Sequence, residues 1–148
     1  MRRSRSRNRS LVGDKLYVLD SCAVLAFLQR EPGAEVVAEI LKEPRNRCLI
    51  HAVNACEVYY DLYRRSGEDD ASALEEILAT TGIELVETMS STLWRAAGKL
   101  KAEWRKVSLA DCFALALALV ENGTVLTSDH HELDKFAQAA ICPIRFIR

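Results

Sequence analysis

Short apolar runs alternate along this chain with longer stretches in which apolar positions recur every three to four residues. The first kind reads as buried strands and the second as amphipathic helices. Residues 15–20, KLYVLD, form the first strand. SCAVLAFLQR follows as a helix stopped by Pro32 and Gly33, and residues 34–43 form a second helix ending at Pro44. RCLI, residues 47–50, is the next strand. Helical spacing returns over 52–65, with Gly67 as its stop, and over 70–79, closed by Gly82. IELVE, residues 83–87, is a third strand. Ser91 is expected to cap a helix whose apolar stripe is Leu93, Trp94, Ala97, Leu100 and Trp104. Ser108 opens another that runs to 121 and stops at Gly123. TVLT, residues 124–127, is the fourth strand. A short helix over 131–139 and an edge strand in PIRFI, where Pro143 is tolerated, complete the pattern. Strands alternating with helices predict an α/β fold: a three-layer α/β/α sandwich around a central, mainly parallel sheet of four to five strands.

Composition narrows this picture. At 148 residues and 49% apolar, the chain fits one domain with an ample core. The longest unbroken apolar run, residues 112–120, is too short to span a bilayer, and no signal-peptide core follows the N-terminus. The expectation is a soluble protein of the cytoplasm. The five cysteines are odd in number, scattered and without a C-x-x-C pair, which argues against a disulfide framework or a zinc site. Four of them stand in apolar stretches, where a reduced cysteine acts as a small hydrophobe.

The net charge of −1 conceals an asymmetry. Residues 1–9, MRRSRSRNR, hold five arginines and no acid, leaving 15 basic residues against 21 acidic ones in the rest. Residues 1–13 are therefore read as a basic tail with too little apolar content to fold, and 14–148 as the single domain. The tail is either a solvated extension or a loose contact for phosphates.

Four acids sit at the ends or in the interiors of the most apolar segments: Asp20, Glu57, Asp111 and Asp129. Burying a carboxylate is costly unless something pairs with it. One hard divalent cation, which prefers oxygen ligands, is the simplest shared partner. In a parallel sheet, ligands bind at the carboxyl ends of the strands, where Asp20 and Asp129 both fall. Glu57 lies on a narrow polar stripe with Asn54, Asp61, Arg64 and Arg65, on a helix that otherwise reads as buried. Asp111 is the only charge between Leu109 and Val120. Each acid also has a local explanation. Asp20 can cap the following helix, Asp129 with Glu132 fits a capping box, and Glu57 can belong to a solvated seam. Ser108-x-x-Asp111 fits a second capping box.

The ordered set of strand-Asp20-Ser21, Asn54-x-x-Glu57, Leu109-Ala110-Asp111 and Thr127-Ser128-Asp129 resembles the PIN domain. It is especially similar to the VapC-type toxins of bacterial and archaeal toxin–antitoxin pairs. The likeness covers residues 15–148. It implies a small α/β/α domain acting as a ribonuclease with Mg²⁺ or Mn²⁺, and Asp20, Glu57, Asp111 and Asp129 as its catalytic, metal-binding acids. Ser21, Asn54 and Thr127 would support them. It also implies a cognate antitoxin and a homodimer. After the last acid, HHELDKF departs from the pattern by adding Glu132, Asp134 and two histidines. Asp129 ranks ahead of Asp134 because it keeps the Thr-x-Asp spacing, and His130 and His131 read as solvated.

Arg95, Lys99, Lys101, Arg105 and Lys106 precede the Asp111 helix. They are candidates for gripping an RNA backbone or, more plainly, a solvated face. A phosphoryl-transferring hydrolase with an aspartate nucleophile would carry a second Asp where Cys22 stands. A response-regulator receiver would carry a Lys where Ser128-Asp129 follows the fourth strand. A catalytically silent PIN-like binding or assembly module is the remaining alternative.

Overall fold

Five parallel strands carry the fold, in the order β3-β2-β1-β4-β5. They are β1 (Lys15–Leu19), β2 (Asn46–His51), β3 (Ile83–Val86), β4 (Thr124–Thr127) and β5 (Ile144–Phe146). The computed structural model describes residues 14–148, so the basic tail of 1–13 lies outside the described residues. Eight helices cross between the described strands: α1 (Ser21–Leu28), α2 (Ala34–Lys42), α3 (Ala52–Ser66), α4 (Glu68–Ser72), α5 (Leu74–Thr81), α6 (Ser91–Glu103), α7 (Leu109–Glu121) and α8 (His130–Gln138).

The two-residue period of the strands divides the core into two layers. Val18, Leu49 and Val125 face α6, α7 and α8. Tyr17, Leu19, Ile50, Ile83 and Leu126 face the opposite way, onto α1, α2, α3 and α5. The expected three-layer sandwich is therefore present, with β1 at its centre. Leu19 stands level with Leu126 in the β1–β4 register. The ends of those two strands, and whatever follows them, thus share one edge. Among the described residues no helix is long and apolar enough to cross a membrane.

Several local expectations are corrected. Ser90, not Ser91, caps α6, its hydroxyl accepting from the Leu93 amide at 3.3 Å. The helix expected over 70–79 is two helices that meet at Ala73. Cys48, Cys112 and Cys142 are buried, whereas Cys56 is exposed and Cys22 only half-buried. Most of α3 is not buried either. It seats Asn54, Ala55 and Val58 inward and leaves Tyr59, Tyr60 and Tyr63 exposed. Trp94, on the predicted stripe of α6, is also exposed. Tyrosine and tryptophan carry a polar tip, so counting them as core side chains widens an apolar face beyond what the sheet covers.

The return from α7 to β4 is steric. Asn122 takes the left-handed conformation at the end of α7 (φ 55°), and Gly123 then passes against β1. A Cβ on Gly123 would lie 2.9 Å from the Leu16 carbonyl oxygen and 2.5 Å from its side chain. The side chain can turn away, but a strand carbonyl cannot. Gly123→Ala is expected to lower stability by about 1–3 kcal/mol, read as a fall in the urea midpoint at unchanged slope.

Candidate metal centre

The acids converge at the carboxyl edge formed by β1 and β4. Asp20 follows β1, and its amide donates to Leu126 O at 3.2 Å, which fixes it against β4. Its Oδ1 caps α1 by accepting from the Ala23 amide at 2.8 Å. Its Oδ2 is buried and has no hydrogen-bond partner. Capping therefore accounts for one oxygen of Asp20 and leaves the other unexplained. Buried polar atoms are nearly always paired, and leaving one unpaired costs about 1–3 kcal/mol. Burial lifts the Asp20 carboxyl to about 7, against the pull of Thr127 and of the Ala23 amide toward the charged form. Asp129 and Glu57 push it up further. Thr127 lies near but makes no well-formed hydrogen bond to Asp20; its Oγ1 accepts from the Asp129 amide at 2.9 Å.

The two capping boxes read from the sequence are both rewired. Ser108 Oγ accepts from the Asp111 amide at 3.1 Å, as expected. The Ser108 amide, however, donates to Glu132 Oε2 at 2.9 Å rather than to Asp111. Asp129 Oδ1 accepts from the Glu132 amide at 3.1 Å, but Glu132 does not reach back to the Asp129 amide. Glu132 on α8 thus takes the role that the sequence pattern assigns to Asp111, and the Asp111 carboxylate is released into the site. One carboxylate oxygen each from Asp111, Asp129 and Glu132 lies within 4.8 Å of the others. Two full charges at that separation repel by about 3 kcal/mol at an effective dielectric constant of 20. Burial first, and then a hydrogen bond with Glu132, raises the Asp111 carboxyl; Glu132 is shifted the other way by the same bond.

Glu57 turns toward the same edge. Ser21 Oγ donates to its Oε1 at 3.1 Å, and burial raises its carboxyl. Its neighbour on the stripe, Asp61, pairs instead with Arg65 at 2.8 Å, so the solvated-seam reading holds for Asp61 and not for Glu57. Asn54 is fully buried, and neither its Oδ1 nor its Nδ2 has a partner. Cys22 samples the resulting field: burial, then Asp20, Asp129, Asp111 and Glu57 in turn, push its thiol up to about 12.

Asp134 is not part of this group. Its carboxylate meets His130 Nδ1 at 2.7 Å, while His130 Nε2 faces the Arg148 carbonyl at 2.8 Å. His130 also stacks on Phe146 at 3.9 Å between ring centroids, so it anchors the C-terminal segment and is more than a solvated helix-start residue. Glu132 is the acid that sequence reasoning left outside the site. Its signal was an acid three residues after Asp129 on the same helical face, which reads locally as a cap.

This cluster sits in a recognisable family. The PIN domain family model matches residues 17–139. The chain belongs to the PIN domain family. Solved structures with the same fold include VapBC2 from Rickettsia felis bound to a DNA fragment from its promoter. That structure has a TM-score of 0.67 and 18% identity, over 88% of this chain and 98% of that one. VapBC-1 from nontypeable Haemophilus influenzae gives 0.66 and 17%, over 89% and 98%. VapC20 from Mycobacterium tuberculosis, described as a toxin that cleaves the sarcin–ricin loop, gives 0.64 and 15%, over 87% and 98%. No curated protein matches the sequence. The five-stranded parallel sheet of this PIN domain is the architecture expected from the alternation of strands and helices.

The residues present suit a hard divalent cation. Converging carboxylates and an unpaired Asp20 oxygen supply oxygen donors and no soft ligand but the protonated Cys22.

Proposed function

We propose that this PIN domain is a ribonuclease dependent on Mg²⁺ or Mn²⁺ and the toxin of a toxin–antitoxin pair. The observation that carries the reading is the release of Asp111 from its capping role, beside a buried Asp20 oxygen with no partner. Local structural duties then fail to account for these acids. Family membership and the sarcin–ricin-loop cleavage attributed to a structural relative support RNA as the substrate. The VapBC assemblies among those relatives support a cognate antitoxin. A homodimer, a cytoplasmic setting and a single domain over 14–148 with a basic tail over 1–13 belong to the same reading.

Asp111, Asp129 and Glu132, whose carboxylates already converge, would hold the ion, with Asp20 and Glu57 beside them on the same edge. When bound, such an ion polarises the scissile phosphate, lowers the pKa of water and stabilises charge on the leaving oxygen. The chain's own residues set the geometry. The Ala23 amide and the β4 carbonyl of Leu126 fix Asp20, and Thr127 orients the backbone of Asp129. The Ser108 amide aims Glu132, and the Ser21 hydroxyl aims Glu57. All of these supports come from the starts of helices or the ends of strands, which aim a side chain more precisely than a free loop does.

The test is RNA cleavage by purified protein freed of any partner. Cleavage is expected with Mn²⁺ or Mg²⁺ and its loss with EDTA. No cleavage under either ion overturns the enzyme reading. Absence of Mn²⁺ binding by calorimetry would favour the silent binding module.

A further inference from the structure

A cavity of about 460 Å³ opens against the acidic cluster, between the α6–α7 connection and α8. Trp104, Arg105 and Lys106 line one wall, and His131, Glu132 and Lys135 line the other. Glu132 belongs to both the cavity and the acidic cluster, so the two adjoin at this side chain. The volume suits a ligand of nucleotide size.

The walls are fixed before any ligand arrives. Lys101 Nζ donates to the carbonyls of Arg105 and Val107 at 2.8 and 2.7 Å, locking the connection into one shape. The Glu132–Ser108 hydrogen bond ties that connection to α8. Trp104 packs on Phe136 at 5.1 Å between ring centroids and stays half-buried. Among the described residues, Arg105, Lys106 and Lys135 take part in no ion pair, whereas Glu103 on the same rim is drawn 4.0 Å from Lys99. An aromatic platform ringed by three free cations is the chemistry that binds single-stranded nucleic acid. Its place matters as well. A carboxylate cluster repels a phosphate chain, and an adjoining cationic rim offsets that repulsion where the strand must pass.

We propose that this cavity is a nucleotide subsite for single-stranded RNA, with a base against Trp104 and the adjoining phosphate on Arg105, Lys106 and Lys135. The inference deepens the ribonuclease reading and rests on it for the choice of RNA. It also sorts the cations named from the sequence: Arg105 and Lys106 line the subsite, while Arg95, which stacks on Trp94 at 5.3 Å, does not.

The test measures binding apart from cleavage. Affinity for a fluorescein-labelled single-stranded RNA of random sequence is read by anisotropy in an Asp111→Asn background. Adding Lys106→Ala or Lys135→Ala, both exposed positions, is expected to weaken binding roughly 3- to 10-fold at low salt. Each is also expected to lower the slope of log affinity against log salt by about 0.7. Lys42→Ala, on α2 across the sheet from the cavity, keeps the affinity unchanged. Trp104→Ala is expected to weaken binding about 10-fold. Because that change also removes packing on Phe136, a Trp94→Phe variant supplies an independent reading: its single remaining tryptophan is quenched by the RNA. Unchanged affinity in both lysine variants, or unquenched Trp104, overturns the subsite. Poly-glutamate quenching Trp104 as strongly as RNA overturns it in favour of an acidic protein partner. RNA held through the cavity but left intact by the wild-type protein with Mn²⁺ supports the subsite and removes the ribonuclease reading. Cleavage by the same lysine variants carrying the native Asp111, with RNA affinity undiminished, does the reverse.

Discussion

Asp20→Asn is expected to reduce RNA cleavage by at least about 100-fold while raising the thermal midpoint of the metal-free protein at pH 8. The two effects have one cause. Burial holds the Asp20 carboxyl near 7, against an ordinary 3.8. Its folded-state value is raised, so folding favours the neutral form. The penalty is absent below 3.8, grows as pH rises toward 7 and is constant above. A tenfold change in proton affinity corresponds to about 1.4 kcal/mol, so at pH 8 the ionised group costs the fold up to about 4 kcal/mol. Asparagine removes the charge and keeps the oxygen that caps α1. Its Nδ2 inherits the place of the unpaired Oδ2 and returns about 1–3 kcal/mol of that gain. A net gain of a few degrees follows for a domain of this size. Scanning calorimetry in EDTA, alongside a gel assay of cleavage, checks both halves. A lower midpoint for Asp20→Asn at pH 8 would refute the burial argument, and wild-type cleavage would refute the site. Asp20→Ala loses the cap as well and is expected to fall below the wild type.

Removing or adding the ion gives the second large effect. Metal-free protein is expected to become more stable as pH falls from 8 to about 5, because Asp20 takes up a proton in that range and the Asp111–Glu132 pair already holds one, and the unfolded chain holds neither. The downward shift of Glu132 acts at lower pH, where a glutamate of the unfolded chain takes up its proton, and leaves this trend unchanged. Mn²⁺ should flatten the trend. At pH 8 an ion at 100 times its dissociation constant adds about 2.7 kcal/mol. Near pH 5 protons compete for the same oxygens and the increment shrinks. Thermal melts across pH, with Mn²⁺ or EDTA, read both slopes. A midpoint at pH 8 that ignores Mn²⁺ counts against a metal centre.

The sheet, its helices and the place of the acids were legible because each depends on local pattern. Val18 and Leu19 alternate between layers as their strand period requires, and α7, apolar on every side but Asp111, is buried from Asp111 to Ala118, while Leu109, Leu119 and Val120 at its ends are exposed. Asp20 and Asp129 share an edge because β1 pairs with β4, a neighbour relation that the sequence allowed without demanding. Glu132 was not legible. Within its own helix, Asp129-x-x-Glu132 is a complete capping box, and only the Ser108 amide, distant in sequence, shows where its carboxylate goes. The rewired cap on α7 was hidden for the same reason. On α3 the error ran the other way: tyrosines that solvent accommodates were counted as core.

The hydrogen bond from the Asp20 amide to Leu126 O has a consequence for the timing of assembly. It joins the first strand to a segment about 100 residues further on, and closing so long a loop is slow. A nascent chain can build β1, β2 and β3 with their helices while Asp20 still lacks Asp129 and Glu132 for neighbours. The acidic set closes only when β4 docks beside β1. A ribosome-bound chain therefore holds an incomplete acidic set until β4 has been made, and the order of translation itself sets the moment at which the set can close.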